Sequence, residues 1–403
     1  MTLAVLGPGL IASAAGDDSG GVATYASIGA QYGYGLLWVM LPVTLSLIIV
    51  QIQVARMAVV TGKGFAELIR EEFGVRWTAF AMLVLLIANS TVTIAEFAGI
   101  AAAGELFAVP RFVSVPIMAF VVWIIVVRAS YTVAEKIFMV LSAALLTYIG
   151  SAIFAHPDWG AVAVALVTPS FQTDPGYISN FVALVGTTIT PYMLFYLQSS
   201  LSDKGTSVED YAAERTDVII GSLLSDIIAV FIIVSTAATL YPLGIQVTTA
   251  DDAARALEPL AGQYATVLFG LGLFGASMLA ACVLPLSTAY AVCGAFGWER
   301  GVSQSWSEAP IFNGLYTALI AIGAAFVLIP GLPLIQAIVA TQFLNGLLLP
   351  IVLVFVLKLV NDKELMGKYT NGRAFNIISY ATTAALVLLT LMFLVFSFVG
   401  VGS

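Results

Sequence analysis

The sequence predicts an all-α membrane protein that crosses the bilayer about eleven times and forms one domain, residues 1–403. Of its 403 residues, 60% are hydrophobic and only 9% are charged, whereas a soluble domain carries about 25% charged residues. Apolar stretches near the roughly 20 residues that span the hydrocarbon core of a bilayer recur along the chain. Most residues are therefore expected to contact lipid or other helices instead of water.

Eleven segments have the length and composition of membrane-spanning helices. They lie at about 4–31, 35–60, 77–107, 111–128, 133–155, 177–203, 215–241, 262–295, 310–330, 334–360 and 374–400. The third and eighth are longer than a bilayer requires, so we expect them to be tilted or to extend beyond it.

The basic residues predict the orientation, because cytoplasmic loops are enriched in Lys and Arg. With a cytoplasmic N-terminus, thirteen of the fifteen Lys and Arg residues are cytoplasmic, and only Arg111 and Arg255 are not. We therefore expect a multi-pass protein of the plasma membrane whose C-terminus, after an odd number of helices, lies outside. Residues 1–10 have neither a basic n-region nor a small-residue cleavage site, so we expect no cleaved signal peptide.

Two segments contain sequences that interrupt a helix near mid-span. Residues 16–21 read GDDSGG in the first segment, and residues 186–191 read GTTITP in the sixth. Glycine is a poor helix former, and proline removes a backbone donor. Each interrupted segment opens one half of the chain, which predicts repeats of five helices at about 1–155 and 177–360, with an extra helix at about 374–400. Because five is odd, the repeats have opposite topology, a pattern typical of secondary transporters.

Asp17 and Asp18 lie in the first interruption, where a carboxylate at the bilayer centre costs about 2.5–3.5 kcal/mol on insertion scales. Adjacent residues of a helix point about 100° apart, so both could face one ligand only if the helix unwinds, which the following Ser-Gly-Gly allows. Asp18 and freed carbonyl oxygens would then form an oxygen-lined cation site, with Asp17 as a second candidate ligand. The alternative is that both carboxylates lie in a water-filled vestibule or cap a half-helix.

Thr187 and Thr190 flank the second interruption, one turn apart on one face. Their hydroxyls and the carbonyls freed by Pro191 are hard oxygen donors, so both threonines are candidate ligands. The alternative is that each hydroxyl bonds to the backbone of its own helix.

Three further polar residues lie inside predicted helices. Glu96 is a candidate functional residue, because intramembrane glutamates usually are; it could titrate, or it could cap a neighbouring half-helix. Gln342 and Asn345 lie one turn apart in the tenth segment, where they could line the cavity or join helices by hydrogen bonds. For Asp226 in the seventh segment we expect a structural role.

The sequence argues against several other classes of protein. It has no GxxxxGK[ST] phosphate-binding loop, so we do not expect ATP-driven transport by this chain. Its only histidine, His156, precedes a proline in a predicted loop, which leaves no nucleophile–base set in the membrane, so we expect no enzyme activity and no cofactor. No basic patch with interleaved aromatic residues indicates nucleic-acid binding, and no obligatory protein partner is evident. Cys282 and Cys293 lie eleven positions apart on one segment and are expected to be free.

The motifs around these residues resemble those of the Nramp family of divalent metal transporters over most of the chain. The family has Asp-Pro-Gly-Asn and a following Ala-Thr in its interrupted first helix, where residues 18–24 read DSGGVAT. It has Gly-Ala-Thr-x-Met-Pro-His in its sixth helix, where residues 186–192 read GTTITPY. Residues 7–10, GPGL, and 365–371, LMGKYTN, resemble two further family signatures. The resemblance implies a LeuT-like fold with 5+5 inverted repeats and unwound helices 1 and 6.

The resemblance also implies a set of metal ligands, two of which are replaced here. The family's helix 1 Asp and Asn correspond to Asp18 and Gly21, and its helix 6 Ala and Met correspond to Thr187 and Thr190. Thioether sulfur favours softer ions, whereas Mg²⁺ takes oxygen ligands and sheds water reluctantly. An all-oxygen pocket, wide enough for a partly hydrated ion, is similar to that of the Nramp-related magnesium transporter branch.

The positions that the family uses for protons differ as well. The acidic residue three positions before the helix 3 Glu is Thr93, and the helix 6 His is Tyr192. The paired arginines of helix 9 are missing, since no Lys or Arg lies between Arg300 and Lys358. The resemblance with these changes implies weak or no proton coupling.

We therefore expect a secondary carrier in the lipid bilayer that imports divalent metal ions, Mg²⁺ and also Mn²⁺, by alternating access. Because Glu96 is retained, a proton-coupled importer of Mn²⁺ or Fe²⁺ stays open as the alternative. An amino-acid carrier of the same fold is a weaker alternative, because Asp18 would repel the substrate carboxylate.

Overall fold

The computed structural model describes residues 18–128, 143–301 and 304–399, and within these ranges every regular element is a helix. The predicted all-α class is therefore confirmed. The longer helices are α1 Ser19–Tyr32, α2 Met40–Thr61, α3 Phe65–Leu106, α4 Arg111–Arg128, α5 Thr147–Phe154, α6 Pro175–Thr188, α7 Pro191–Asp203, α8 Tyr211–Thr239, α9 Ala265–Phe296, α10 Pro310–Val327, α11 Leu334–Val360 and α12 Arg373–Val399.

Eight helical spans in the described ranges are long and apolar enough to cross a bilayer, with α6 and α7 together counted as one. The number becomes nine if two helical pieces that meet at a 115° bend, Ala143–Phe154 and Trp159–Val167, form one span. Helix α1 begins beside residues outside the described ranges, which include Asp17. The number of eleven crossings thus stays a prediction.

Helix α3 starts earlier than the sequence predicts, at Phe65 instead of residue 77. It contains a kink at Gly74, whose φ of 74° lies in the left-handed region that glycine adopts readily. The nine residues before this kink, FAELIREEF, carry four charged side chains: Glu67, Arg70, Glu71 and Glu72. A search for apolar stretches misses such an amphipathic turn, and this explains the error.

The helices pack closely where small residues remove side-chain volume. A β-carbon on Gly186 of α6 would collide with the backbone of Gly346 in α11, and one on Gly346 would collide with the carbonyl of Val182. Small residues allow this backbone approach between membrane helices, where packing contributes much of the stability. Helix α11 also packs on α1 and α3, and α9 lies against α3.

Basic side chains gather at one end of the helix bundle. Arg300 Nη2 donates to Glu67 Oε1 over 2.6 Å, and an Arg70 guanidinium nitrogen donates to the carbonyl of Ala295 over 3.1 Å. Arg56 donates to Asn371. These contacts bring the loops after α2, α9 and α11 together, and we call this end the basic side.

The opposite end carries mainly acidic residues, and we call it the acidic side. Its arginine Arg111 binds Glu105 over 2.7 Å and the carbonyl of Leu332 over 2.9 Å. Asp252 accepts hydrogen bonds from the hydroxyls and backbone nitrogens of Thr248 and Thr249. Partial burial raises the pKa of Asp252, but these four hydrogen bonds outweigh it and lower the pKa below its usual value. This carboxylate therefore stays ionised at neutral pH.

Candidate metal site

Helix α1 begins at a carboxylate. Asp18 has extended backbone angles, φ −69° and ψ −178°, and its Oδ1 accepts the amide hydrogen of Gly21 over 2.8 Å. Aspartate is a favoured residue at this capping position because its side chain satisfies an amide that has no partner within the helix. Residues 19–21 form the first turn of α1, so within the described ranges the non-helical backbone of this segment is at Asp18. Gly21 therefore supplies an amide to Asp18 and lies inside the helix.

The sixth segment is broken as the sequence predicts. Helix α6 ends at Thr188 and α7 begins at Pro191, while Ile189 and Thr190 have non-helical backbone angles. Proline can start α7 because the first residue of a helix needs no amide hydrogen. The break exposes backbone carbonyls beside the hydroxyl of Thr190.

Gln342 of α11 joins the two broken segments. Its side chain lies against Gly20, where a β-carbon would collide with it, and the same β-carbon would lie 3.0 Å from Asp18 Oδ1. The backbone carbonyl of Gln342 lies against Gly186 of α6. Asp18, Gln342 and the start of the α6–α7 break therefore belong to one site.

The predicted residues of this site carry polar atoms that lack hydrogen-bond partners. Each of these residues is no more than 1% exposed. Within the described part of the chain, no partner is present for Asp18 Oδ2, Thr187 Oγ1, Thr190 Oγ1, Gln342 Oε1 and both side-chain polar atoms of Asn345. Buried polar atoms in proteins are nearly always bonded. A bound cation, hydrated or bare, is the kind of partner that would satisfy such oxygens.

Glu96 caps the start of α1. Its Oε2 accepts hydrogen bonds from the backbone nitrogen of Ser19 over 3.3 Å and from the Ser19 hydroxyl over 3.0 Å. The carboxyl group of Glu96 also interacts with that of Asp18. The capping role is therefore observed, while a role in titration stays a prediction.

Ser277 of α9 is not among the residues that the sequence analysis singles out. Its hydroxyl lies beside Gly99 and Ser19, is fully buried, and has no hydrogen-bond partner among the residues described. A serine within a long apolar helix is the only signal, and such serines commonly bond to their own backbone. Asp226, in contrast, lies away from the site and interacts with Thr44 of α2.

A cavity of about 580 Å³ lies above the site, on the acidic side. Neutral polar residues of α1, α6 and α11 line much of it: Ser27, Gln31, Ser179, Asn180 and Gln336. The lining of this cavity also includes Ala340 and Phe343, which lie within one helical turn of Gln342 on α11. Asp18 is only 1% exposed, so this cavity does not expose its carboxylate.

The chemistry of the site differs from that of zinc or iron centres. In the ranges that the structure covers, no three His, Cys, Asp or Glu side chains come close enough together to hold a metal ion. Both cysteines are buried and free. The site thus offers carboxylate, hydroxyl and amide oxygens, which suit hard ions.

The family assignment follows from a match over nearly the whole chain. The sequence profile described as Nramp, natural resistance-associated macrophage protein-like, matches residues 9–396. The chain belongs to the Nramp family. Among its relatives is a divalent metal cation transporter MntH of Pectobacterium carotovorum, 28% identical over 99% of this chain and 96% of that protein. The MntH protein of Klebsiella pneumoniae is 27% identical over the same shares of the two chains.

Solved structures place this Nramp chain in the LeuT-like fold. The manganese transporter of Eremococcus coleocola superimposes with a TM-score of 0.77 at 22% identity, over 97% of this chain and 85% of that one. The transporter MhsT, solved with L-phenylalanine, superimposes with a TM-score of 0.60 at 16% identity, over 95% and 98% of the two chains. The predicted fold is therefore confirmed.

Proposed function

We propose that this Nramp-family chain is a secondary transporter that imports divalent metal cations, Mg²⁺ and also Mn²⁺, by alternating access without proton coupling. The observation that carries the proposal is the set of buried oxygens without partners around Asp18, within the described ranges. The curated relatives are described as divalent metal cation transporters, which supports the ion class. The basic side then faces the cytoplasm, because positive loops do so.

The donor set favours hard ions. Asp18 supplies the negative charge, and Thr187, Thr190 and Gln342 supply neutral oxygens, directly or through water that the ion retains. Mg²⁺ keeps several waters in most protein sites because it dehydrates reluctantly. Waters bound to a cation point their hydrogens outward, so hydroxyl and amide oxygens of the site can accept hydrogen bonds from them. Within the described ranges the Oδ1 of Asn345 has no other partner and could accept such a bond. Mn²⁺ also accepts oxygen ligands, and so would share the site.

The absence of proton coupling is supported by what surrounds Glu96. The Thr93 hydroxyl bonds to the Asn89 carbonyl over 2.7 Å and offers no second carboxyl group. Among the described residues, the groups acting on the Glu96 carboxyl are Ser19 and Asp18, and no basic side chain is one of them. Proton flux is also not needed, since an inside-negative potential of 100 mV is worth about 4.6 kcal/mol for a divalent ion.

Uptake into liposomes tests the ion and the site together. Wild-type protein should carry Mg²⁺ and Mn²⁺, with the two ions competing within about tenfold in concentration, because the oxygen ligands discriminate weakly between them. The variant Asp18→Ala should abolish uptake, since Asp18 is the only carboxylate among the four proposed ligands. Unchanged uptake in this variant would refute the site, and Mn²⁺ uptake that ignores millimolar Mg²⁺ would refute the proposed selectivity.

A proton-coupled importer of Mn²⁺ or Fe²⁺ is the second candidate, and the observation in its favour is the contact between the Glu96 and Asp18 carboxyl groups. Two facing carboxyl groups in a buried site commonly share a proton. A pH-sensitive dye inside the liposomes distinguishes the two candidates, because only the coupled transporter acidifies the lumen as metal enters.

A further inference from the structure

Five buried residues form a packed apolar cluster that is separate from the main hydrophobic core. They come from α3, α7 and α9, and none is more than 1% exposed. We call this cluster the apolar plug: Val92, Tyr192, Met193, Ala280 and Leu284.

The plug lies next to the metal site on the basic side. On α7, Tyr192 and Met193 follow Thr190 by two and three positions, and the amide of Met193 donates to the Thr190 carbonyl over 3.2 Å. On α3, which runs from the basic side to the acidic side, Val92 precedes Glu96 by four residues. A helix rises 1.5 Å per residue, so this offset is about 6 Å.

Helix α9 gives the same position independently. It runs in the opposite direction to α3, and Ala280 follows Ser277 by three residues. Ser277 itself lies beside Ser19 and Gly99 at the level of the site. On all three helices the plug residues therefore lie within about two turns of the polar site, toward the basic side.

Polar groups return beyond the plug. Asn89 of α3 donates to Thr288 of α9 over 2.6 Å, one turn further toward the basic side. A cavity of about 280 Å³ follows, between α7 and α9, and its lining is mixed: it includes Ser199 and Ser287, the charged pair Asp203 and Lys204, and the apolar side chains of Val283 and Leu286. The order along this path is thus polar site, apolar plug, polar pair and a cavity of mixed lining.

We propose that the apolar plug is the barrier on the release side of the transport path, and that ions leave between α7 and α9 past Asn89 and Thr288. This inference rests on the proposed transport function. Apolar constrictions block hydrated ions because hydrocarbon surfaces cannot replace the waters that an ion would have to lose. Val92, Ala280 and Leu284 provide such surfaces, and the thioether of Met193 is a poor ligand for a hard ion such as Mg²⁺. Release requires α7 to move away from α9, and the non-helical residues Ile189 and Thr190 provide the hinge for that motion.

Accessibility of the site from each side tests the plug. The reporter is a cysteine from Thr190→Cys in a chain that also carries Cys282→Ala and Cys293→Ala. A charged, membrane-impermeant thiol reagent is applied to right-side-out and inside-out membrane vesicles. A separate Glu299→Cys variant identifies the basic side, because Glu299 is exposed in the loop after α9.

The test variant is Leu284→Ala and its matched control is Leu279→Ala, a buried leucine of the same helix that belongs to the main core. Leu284→Ala should raise the rate of reporter modification from the basic side at least about tenfold. The reason is that removing a buried leucine side chain destabilises a packed state by more than a tenfold change in its equilibrium constant. The control Leu279→Ala should change this rate by less than about threefold, because Leu279 is not a member of the plug. The proposal would be overturned if the two variants changed the modification rate equally. It would also be overturned if Leu284→Ala accelerated modification from the acidic side more than from the basic side.

A second variant covers the case in which Leu284→Ala does not fold. Ala280→Val adds volume within the plug and should slow both reporter modification from the basic side and Mn²⁺ uptake, while leaving the apparent affinity for Mn²⁺ unchanged. Faster modification in this variant would also contradict the proposal. The accessibility assay contains no metal, so a failure of the proposed Mg²⁺ transport leaves its result valid.

Discussion

Ser19 donates two hydrogen bonds to a single oxygen of Glu96, one from its backbone nitrogen over 3.3 Å and one from its hydroxyl over 3.0 Å. The Ser19 hydroxyl also lies 2.9 Å from the carbonyl of Ala95, so it is shared between two acceptors. These contacts fix the start of α1 on α3, 77 positions away in the chain. Because Asp18 immediately precedes Ser19, these contacts of Glu96 help to position the carboxylate that we propose as the metal ligand.

The first prediction separates the capping role of Glu96 from proton transfer. Glu96→Gln keeps an oxygen acceptor for Ser19, so metal uptake should stay within about threefold of wild type, as expected when a hydrogen bond to a charged group becomes a neutral one. Glu96→Ala leaves buried donors unbonded and should reduce uptake at least about tenfold. Uptake by both variants is measured alongside their folded fraction. Equal loss in the two variants would show that the carboxyl group does more than accept these bonds.

The second prediction concerns Thr190, the position at which the family pattern has methionine. Thr190→Met replaces a hydroxyl by a thioether, which prefers softer ions. Mg²⁺ uptake should fall at least about tenfold, the equivalent of about 1.4 kcal/mol, while Mn²⁺ and Cd²⁺ uptake persists. The measurement is the ratio of Mg²⁺ to Mn²⁺ uptake in the same liposomes. The conservative control Thr190→Ser keeps a hydroxyl oxygen and should keep the wild-type ratio. If Thr190→Met left the ratio unchanged, Thr190 would not be a ligand of the transported ion.

Some features of this site could be predicted from the sequence and others could not. The break at residues 189–190 could be predicted because its causes, glycine and proline, act locally on the backbone. Asp18 could be predicted because a carboxylate at membrane depth is costly in any fold. The partnership of Ser19 with Glu96 could not, since either residue could have faced several helices, and only their packing decides between capping and titration. The same holds for Ser277 and for the apolar plug, whose members look like ordinary core residues in the sequence.

The third prediction tests the close contact between α6 and α11. Gly346→Ala places a β-carbon against the carbonyl of Val182, so the two helices must separate. Forced overpacking of this kind typically costs about 1–3 kcal/mol. The control Gly314→Ala lies in α10, where a β-carbon meets no atom of the described structure within 4 Å, and there alanine should be neutral or stabilising. Thermal unfolding in detergent should show a lower midpoint for Gly346→Ala only, and a pair of equal midpoints would mean that this contact does not support the fold.

The fourth prediction concerns Asp226, the buried carboxyl group outside the metal site. It is 4% exposed and interacts with Thr44, and within the described ranges its Oδ2 has no hydrogen-bond partner. Asp226→Asn keeps the size and an oxygen for Thr44, and it removes only the capacity to ionise. We therefore expect uptake within about twofold of wild type and equal or greater thermal stability, because a neutral amide is less costly to bury than a carboxylate. Asp18→Asn is the matched comparison, since the same substitution there removes the charge that faces the ion and should abolish uptake. If instead Asp226→Asn stopped uptake while the protein stayed folded, ion movement would depend on a second carboxyl group between α2 and α8, and the single-carboxylate mechanism would be wrong.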